Sequence, residues 1–259
     1  MSNPWLAVSL VLFLWWFLTG AILFLVKWAD NRGEKFHKLL TLSLLPFLVI
    51  GLYGFLYSLD KIKIGDIYLS FLSALAIWGW FELAFLTGTI TGPNNKDCPS
   101  GVDGFVRFKL AWSAIAYAEL ALFVVLVALF IASMGQQNLF GFCTFLVLYS
   151  CRLSAKINLF FGVPKINTEF LPAPVKHLAS HFKVSGVSWF YPISIISLIL
   201  LTVFWILKCM VNLDNSVEFV GYTFLTALTV LALIEHWFMV LDVPDAALWR
   251  WMLPKPRAK

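Results

Sequence analysis

Charge is scarce in this 259-residue chain: Asp, Glu, Lys and Arg make up 13% of it, about half the share of a soluble globular domain. That scarcity excludes an ordinary water-soluble fold. Histidine is scarcer still. His37, His177, His181 and His236 are too few and too scattered for a multi-histidine metal centre, and with no acid, base or metal constellation in view the chain does not read as an enzyme. The four cysteines, Cys98, Cys143, Cys151 and Cys209, form no C-x-x-C pair, so they read as reduced and structural. The turn-rich loop Gly92 to Gly101 has no P-loop or dinucleotide fingerprint. The opening Met1-Ser2-Asn3-Pro4-Trp5 lacks the basic region of a signal peptide, so Leu6 to Val26 reads as a retained first span. The net charge of +5 is dispersed through loops, which argues against a nucleic-acid partner and for topology signals in a lipid bilayer.

What remains is apolar. The chain is 61% hydrophobic and carries 12 Trp and 25 Phe, a composition suited to lipid-facing surfaces and aromatic belts. Apolar runs near 5–26, 39–58, 67–90, 110–133, 138–160, 191–211 and 217–241 predict an all-α, polytopic membrane protein of about seven transmembrane helices. Seven spans of about 20 residues occupy over half the chain, so 1–259 is read as a single transmembrane domain. Pro46 is expected to kink the second span. Ala111, Ala114, Ala118, Ala121, Ala128 and Ala132 give the fourth a small-residue stripe that predicts close packing and a central position.

The basic residues set the expected orientation. Lys27, Arg32, Lys35, Lys38, Lys96, Arg107, Lys109, Lys165, Lys176, Lys183, Arg250, Lys255, Arg257 and Lys259 fall in odd-numbered loops and the tail, with Arg152 and Lys156 near that side. Only Lys61, Lys63 and Lys208 fall opposite. The positive excess marks the cytoplasm, which puts the N-terminus in the periplasm and the C-terminus inside. Six or eight spans would destroy the alternation. Two inner segments read as interfacial helices. Near 174–183, Val175, Leu178, Ala179 and Phe182 face one way and His177 and His181 the other, as solvated histidines. Near 245–253, Trp249 and Trp251 suit the headgroup layer.

Ionisable residues inside spans are the strongest local signal. Glu82, Glu119, Arg152, Lys156 and Glu235 come from four helices, and at about 1.5 Å per residue all lie in the inner half of the membrane. A lone charge there costs about 2.5–3.5 kcal/mol on insertion scales, so pairing is expected. Arg152 and Lys156, at i and i+4, share a face and can reach Glu119 on the preceding helix and Glu235 on the last. The layer reads either as an ion-pair network that fixes helix register or as a polar site for a headgroup, pigment or proton. His236 reads either as a pigment ligand or as a hydrogen-bonding partner for a neighbouring helix.

Four stretches resemble the photosynthetic complex assembly protein 2 family, the PuhE type of purple bacteria. They are T-G-P-N-N-K-D-C-P-S-G from Thr91, Y-A-E-L-A-L-F from Tyr117, R-L-S-A-K-I-N-L-F-F-G-V from Arg152 with N-T-E-F-L-P from Asn167, and E-H-W-F-M-V-L-D-V-P-D-A-A-L-W-R-W from Glu235. One position departs: relatives carry a histidine before the glutamate, where this chain has Ala118, so a ligand role there does not carry over. The resemblance implies an assembly factor or accessory subunit for the reaction centre–light-harvesting complex, in the bacterial inner (intracytoplasmic) membrane, with reaction-centre and light-harvesting polypeptides as partners. No cofactor is fixed by the residues. Bacteriochlorophyll is the pigment whose supply the resemblance raises, and the family has no catalytic residues to transfer. The alternative is a transporter or carrier of pigment, pigment precursor or lipid, favoured by the intramembrane charges. Against it, the chain has no inverted repeat or paired broken helices.

Overall fold

The computed structural model describes residues 3–253. The tail lysines and arginine used in the charge argument, Lys255, Arg257 and Lys259, lie outside the described residues. Among the described residues nine α-helices follow in order: α1 (Pro4–Asp30), α2 (Glu34–Ser43), α3 (Leu45–Ser58), α4 (Ile64–Leu86), α5 (Gly104–Ser133), α6 (Phe140–Phe161), α7 (Phe190–Val211), α8 (Ser216–Phe238) and α9 (Ala247–Arg250). With α2 and α3 counted as one span, seven helices are long and apolar enough to cross a membrane. Among the described residues there is no β-strand, only an isolated bridge between Val163 and Val184.

Local chemistry explains several of the boundaries. The Asn3 side chain accepts the Trp5 N–H and Pro4 supplies a preset first turn for α1. Asn215 accepts from Val217 and Glu218 to start α8. Gly88, at φ +74°, turns the chain just after α4, short of the expected end near residue 90. The second span starts at Glu34, five residues before the expected boundary, because Glu34, Lys35 and Lys38 sit on an amphipathic first half that interrupts the apolar run. Its expected kink is a break at Leu44, two residues ahead of Pro46. The fourth span also starts early, at Gly104, its first turns carrying Arg107 and Lys109.

The core sits around α4 and α8. Phe71 of α4 stacks on Phe224 of α8, with ring centroids 4.3 Å apart, and Ala7 and Val11 of α1 and Phe140 and Val147 of α6 close around them. Close approach is set by small residues: a Cβ on Gly51 of α3 would meet the Ser73 carbonyl of α4 at 3.1 Å. The expectation of a central α5 does not hold. α5 packs through Leu122 and Leu129, while Tyr117, Leu120, Phe123, Val124 and Val127 are exposed. Its buried alanines, Ala114 and Ala118, pack only on the last turn of α4, at Phe85, and otherwise receive the loop that follows it and the 3-10 segment at Val175 and Leu178.

The connections after the first, third and fifth spans and the segment after the seventh gather at one end of the bundle. Lys27 donates to the Leu171 carbonyl (2.8 Å), and Asp30 accepts from the Ala173 N–H (3.0 Å). The Cys98 N–H donates to Ser180 Oγ (2.8 Å), and Arg250 pairs with Glu169 (2.6 Å). Together they form a cap.

Both expected interfacial helices belong to this cap. Residues 173–181 are 3-10, at three residues per turn, so Val175, Leu178 and His181 fall in one row and are buried. His181 therefore faces inward, 3% exposed, against the expectation of a solvated side chain. Of the expected stretch 245–253, only Ala247–Arg250 is α-helical. Trp249 is buried on α1 with its indole N–H donating to the Trp16 carbonyl (3.0 Å), while Trp251 stays exposed and stacks on Trp16.

Candidate functional site

The α6 helix carries three rows of polar or small residues, and each meets a different neighbour. Arg152 and Lys156 point toward α4 and α5. Glu119, 2% exposed, receives both: Lys156 Nζ lies 2.6 Å from its Oε1, and Arg152 Nη1 donates to the same oxygen. Arg152 also pairs through Nε with Glu82. Two carboxylates and two cations thus balance within one cluster, and charge-assisted bonds of this kind are the strong class. The Phe85 ring lies under both cations, 5.0 Å from the Arg152 guanidinium carbon and 4.2 Å from Lys156 Nζ.

The second row, Ser154 and Asn158, faces α7 and α8. Ser154 Oγ lies 2.9 Å from His236 Nε2, and His236 Nδ1 lies 2.8 Å from the Ala232 carbonyl. A carbonyl only accepts, so Nδ1 carries the proton and Nε2 accepts from the serine. With both nitrogens engaged and 1% exposure, the imidazole ties α6 to α8 and has no lone pair free for a pigment. Asn158 donates to Ser194 Oγ of α7 (2.8 Å), and Tyr191 donates to the His236 carbonyl (3.1 Å).

The third row, Cys151 and Ala155, lines a cavity of about 380 Å³ between α1, α4, α6 and α8. Arg152, Glu82 and Glu235 also line it. Glu235 stands apart from the ion-pair cluster: its Oε1 accepts from Trp15 Nε1 (2.7 Å), and no cation pairs with it among the described residues. The expected layer is therefore two arrangements, a balanced four-residue cluster and a separate carboxyl on the cavity wall.

The loop after α4 seals the cluster from the cap side. The Asn94 N–H donates to the Ser113 carbonyl (3.2 Å), and the Ala118 N–H, beside Glu119, donates to the Thr91 carbonyl (2.9 Å). Gly92 is required there, since a Cβ would lie 2.6 Å from the Ala114 carbonyl carbon. The 167–172 and 235–251 stretches are clasped in turn. Asn167 donates to Asp245 (2.6 Å), Lys165 pairs with the same carboxylate, and the Lys165 N–H donates to the Met239 carbonyl (3.0 Å). The four stretches that carry the resemblance thus meet around the cluster and its cap.

The family described as Protein of unknown function (DUF3623) matches residues 1–259. The chain belongs to the DUF3623 family. It is 42% identical over 254 residues to the "Uncharacterized 30.4 kDa protein in puhA 5'region" of Rhodobacter capsulatus, covering 98% of this chain and 92% of that protein. No solved structure matches it.

Several polar residues that organise this DUF3623 chain escaped the sequence reading. Ser154, Asn158 and Ser194 do so because a serine or asparagine in a span is unremarkable until its partner is known, although the i, i+4 spacing of Ser154 and Asn158 on α6 was visible. Asn138, 1% exposed, donates to the Ser58 and Asp66 carbonyls (3.1 and 3.3 Å) and ties the other end of the bundle together. His177 and His181 have ring centroids 6.5 Å apart, and no group of three or more His, Cys, Asp or Glu suited to a metal occurs among the described residues. Burial and the neighbouring His181 hold His177 below its ordinary value. Burial, helped by the Arg107 charge, does the same to His181 against the opposing pull of the Lys96 carbonyl and Asp97.

Proposed function

We propose that this chain is an integral membrane assembly factor or accessory subunit for the bacterial photosynthetic reaction centre–light-harvesting complex, linked to bacteriochlorophyll supply. The observation that carries the proposal is the 42% identity, across nearly the whole of both chains, to a Rhodobacter capsulatus protein named for the puhA 5' region. It agrees with the resemblance to the PuhE type carried by the stretches at Thr91, Tyr117, Arg152 and Glu235.

The architecture supports work by helix packing. α5 and α7 turn long apolar rows outward, among them Phe123, Val124 and Val127, and Ile196, Leu200 and Leu207, which suit lipid or the spans of other polypeptides. Glu82, Glu119, Arg152 and Lys156 pair with one another, as a register device does. On this reading the membrane is the inner (intracytoplasmic) one, with the cap on its cytoplasmic face.

The test is purification of a tagged protein from cells assembling the photosynthetic apparatus. Reaction-centre or light-harvesting polypeptides are expected to come with it. Recovering neither at any stage of assembly overturns the proposal. An absorption spectrum of the same preparation reads whether bacteriochlorophyll travels with it.

A further inference from the structure

A mid-span glycine and a carboxyl without a cation mark the same cavity. Gly51, Gly54, Gly141 and Gly221 each allow a close contact, since a Cβ on any of them would find another atom within 3.1 Å. Gly79 of α4 does not: the nearest atom to a Cβ there is Ile22 Cδ1, 4.0 Å away. Glycine weakens a helix interior, and at Gly79 what it supplies is open volume. That volume is the cavity of about 380 Å³, within the range of roughly 300–1,000 Å³ common to small-molecule sites.

The walls define the occupant. Val11, Leu14, Leu18, Leu75, Leu148 and Leu228 make most of the lining apolar. Glu235 is exposed on that lining, and its hydrogen bond comes from Trp15, a donor with one N–H. The four charges of the Glu82–Glu119–Arg152–Lys156 cluster are already matched two against two, so the cluster leaves no spare cation for Glu235. A carboxyl on an apolar wall with one donor has capacity for another.

We infer that the cavity between α1, α4, α6 and α8 binds a long-chain amphiphile, its tail along the aliphatic wall and a hydrogen-bond-donating head on the Glu235 carboxyl. A hydroxyl and an ammonium head share this chemistry. The inference stands apart from the photosynthetic reading, because it concerns the cavity of the isolated chain and needs no partner polypeptide.

The experiment uses the full chain in lipid nanodiscs and three photoreactive probes of equal tail length: a hexadecanol, a hexadecylamine and the hexadecyl methyl ether, which lacks a donor. Crosslinked peptides are read by mass spectrometry. The alcohol and amine are expected to label α1, α4 and α8 severalfold more than the ether, as loss of one hydrogen bond to the carboxyl predicts. Which of the two labels more distinguishes a neutral from a cationic head. Glu235→Leu lowers both to the level of the ether, and Gly79→Leu, which fills the volume, lowers all three at unchanged melting temperature. If Gly79→Leu lowers the melting temperature, Leu18→Trp fills the same volume from α1 and gives the same readout. Equal labelling by all three probes in the unmodified chain overturns the head assignment. Labelling that neither filling variant reduces overturns the site.

Discussion

Removing Glu119 should cost far more than its single negative charge suggests, and a second substitution should return most of the loss. Glu119 is 2% exposed and holds Arg152 and Lys156 at once. Glu119→Leu leaves one carboxylate, Glu82, facing two buried cations. Breaking a buried ion pair costs about 3–5 kcal/mol, and a lone charge within a span about 2.5–3.5 kcal/mol. The two ranges overlap near a loss of about 3 kcal/mol. Lys156→Met alone leaves two carboxylates against Arg152 and should cost a similar amount. The double substitution Glu119→Leu, Lys156→Met leaves the Arg152–Glu82 pair intact and neutral, so it should lie within about 1.5 kcal/mol of the unmodified protein, as volume-conserving hydrophobic exchanges do. Equilibrium unfolding of the purified protein in mixed micelles, titrated with a denaturing detergent, gives the three differences and hence the coupling. Two results refute the reasoning. One is a Glu119→Leu loss no larger than about 0.5 kcal/mol, the scale of an unremarkable surface change. The other is a double variant whose loss equals the sum of the singles.

Gly92→Ala should lower stability by about 1–3 kcal/mol, because the new Cβ would lie 2.6 Å from the Ala114 carbonyl carbon and the loop must lift from α5; an unchanged melting temperature would contradict that fit. The cap should loosen as pH falls. His177 and His181 are held below their ordinary value of 6.5, so below about that pH the opened cap takes up protons that the docked cap refuses. Amide exchange in residues 94–103 and 173–183, corrected for intrinsic rates, should be faster at pH 5.5 than at pH 8, and equal or greater protection at the lower pH counts against the linkage. The charge asymmetry predicts that an impermeant maleimide, offered to cells with a permeabilised outer membrane, reaches Gln137→Cys but reaches the native Cys98 only after lysis. The reverse pattern would invert the topology.

The spans were legible because apolar length is a property of sequence alone, and charge alternation between loops made the count of seven self-consistent. What misled was polarity inside helices. Glu34, Lys35 and Lys38 hid the first half of the second span, and Arg107 and Lys109 hid the start of α5. The i, i+4 spacing of Arg152 and Lys156 was enough to put Glu119 and Glu235 within their reach, and the first of these they share. It was not enough to separate Glu235, because depth along a helix is readable from sequence and azimuth between helices is not. The alanine stripe misplaced α5 for a related reason: small residues announce a close neighbour without saying whether it is a span or a loop. The register of residues 173–181 failed on period. A pattern scored at 3.6 residues per turn sends His181 outward, and the same residues wound at three per turn bury it.

The contacts of α1 also set an order of events in biosynthesis. Trp15 waits for Glu235, 220 residues later, and Trp16 for Trp249, 233 residues later. At about 5–20 residues per second of translation, the first span spends roughly 10–45 s in the membrane before those partners exist. During that interval the face of α1 that will wall the cavity is open to the bilayer.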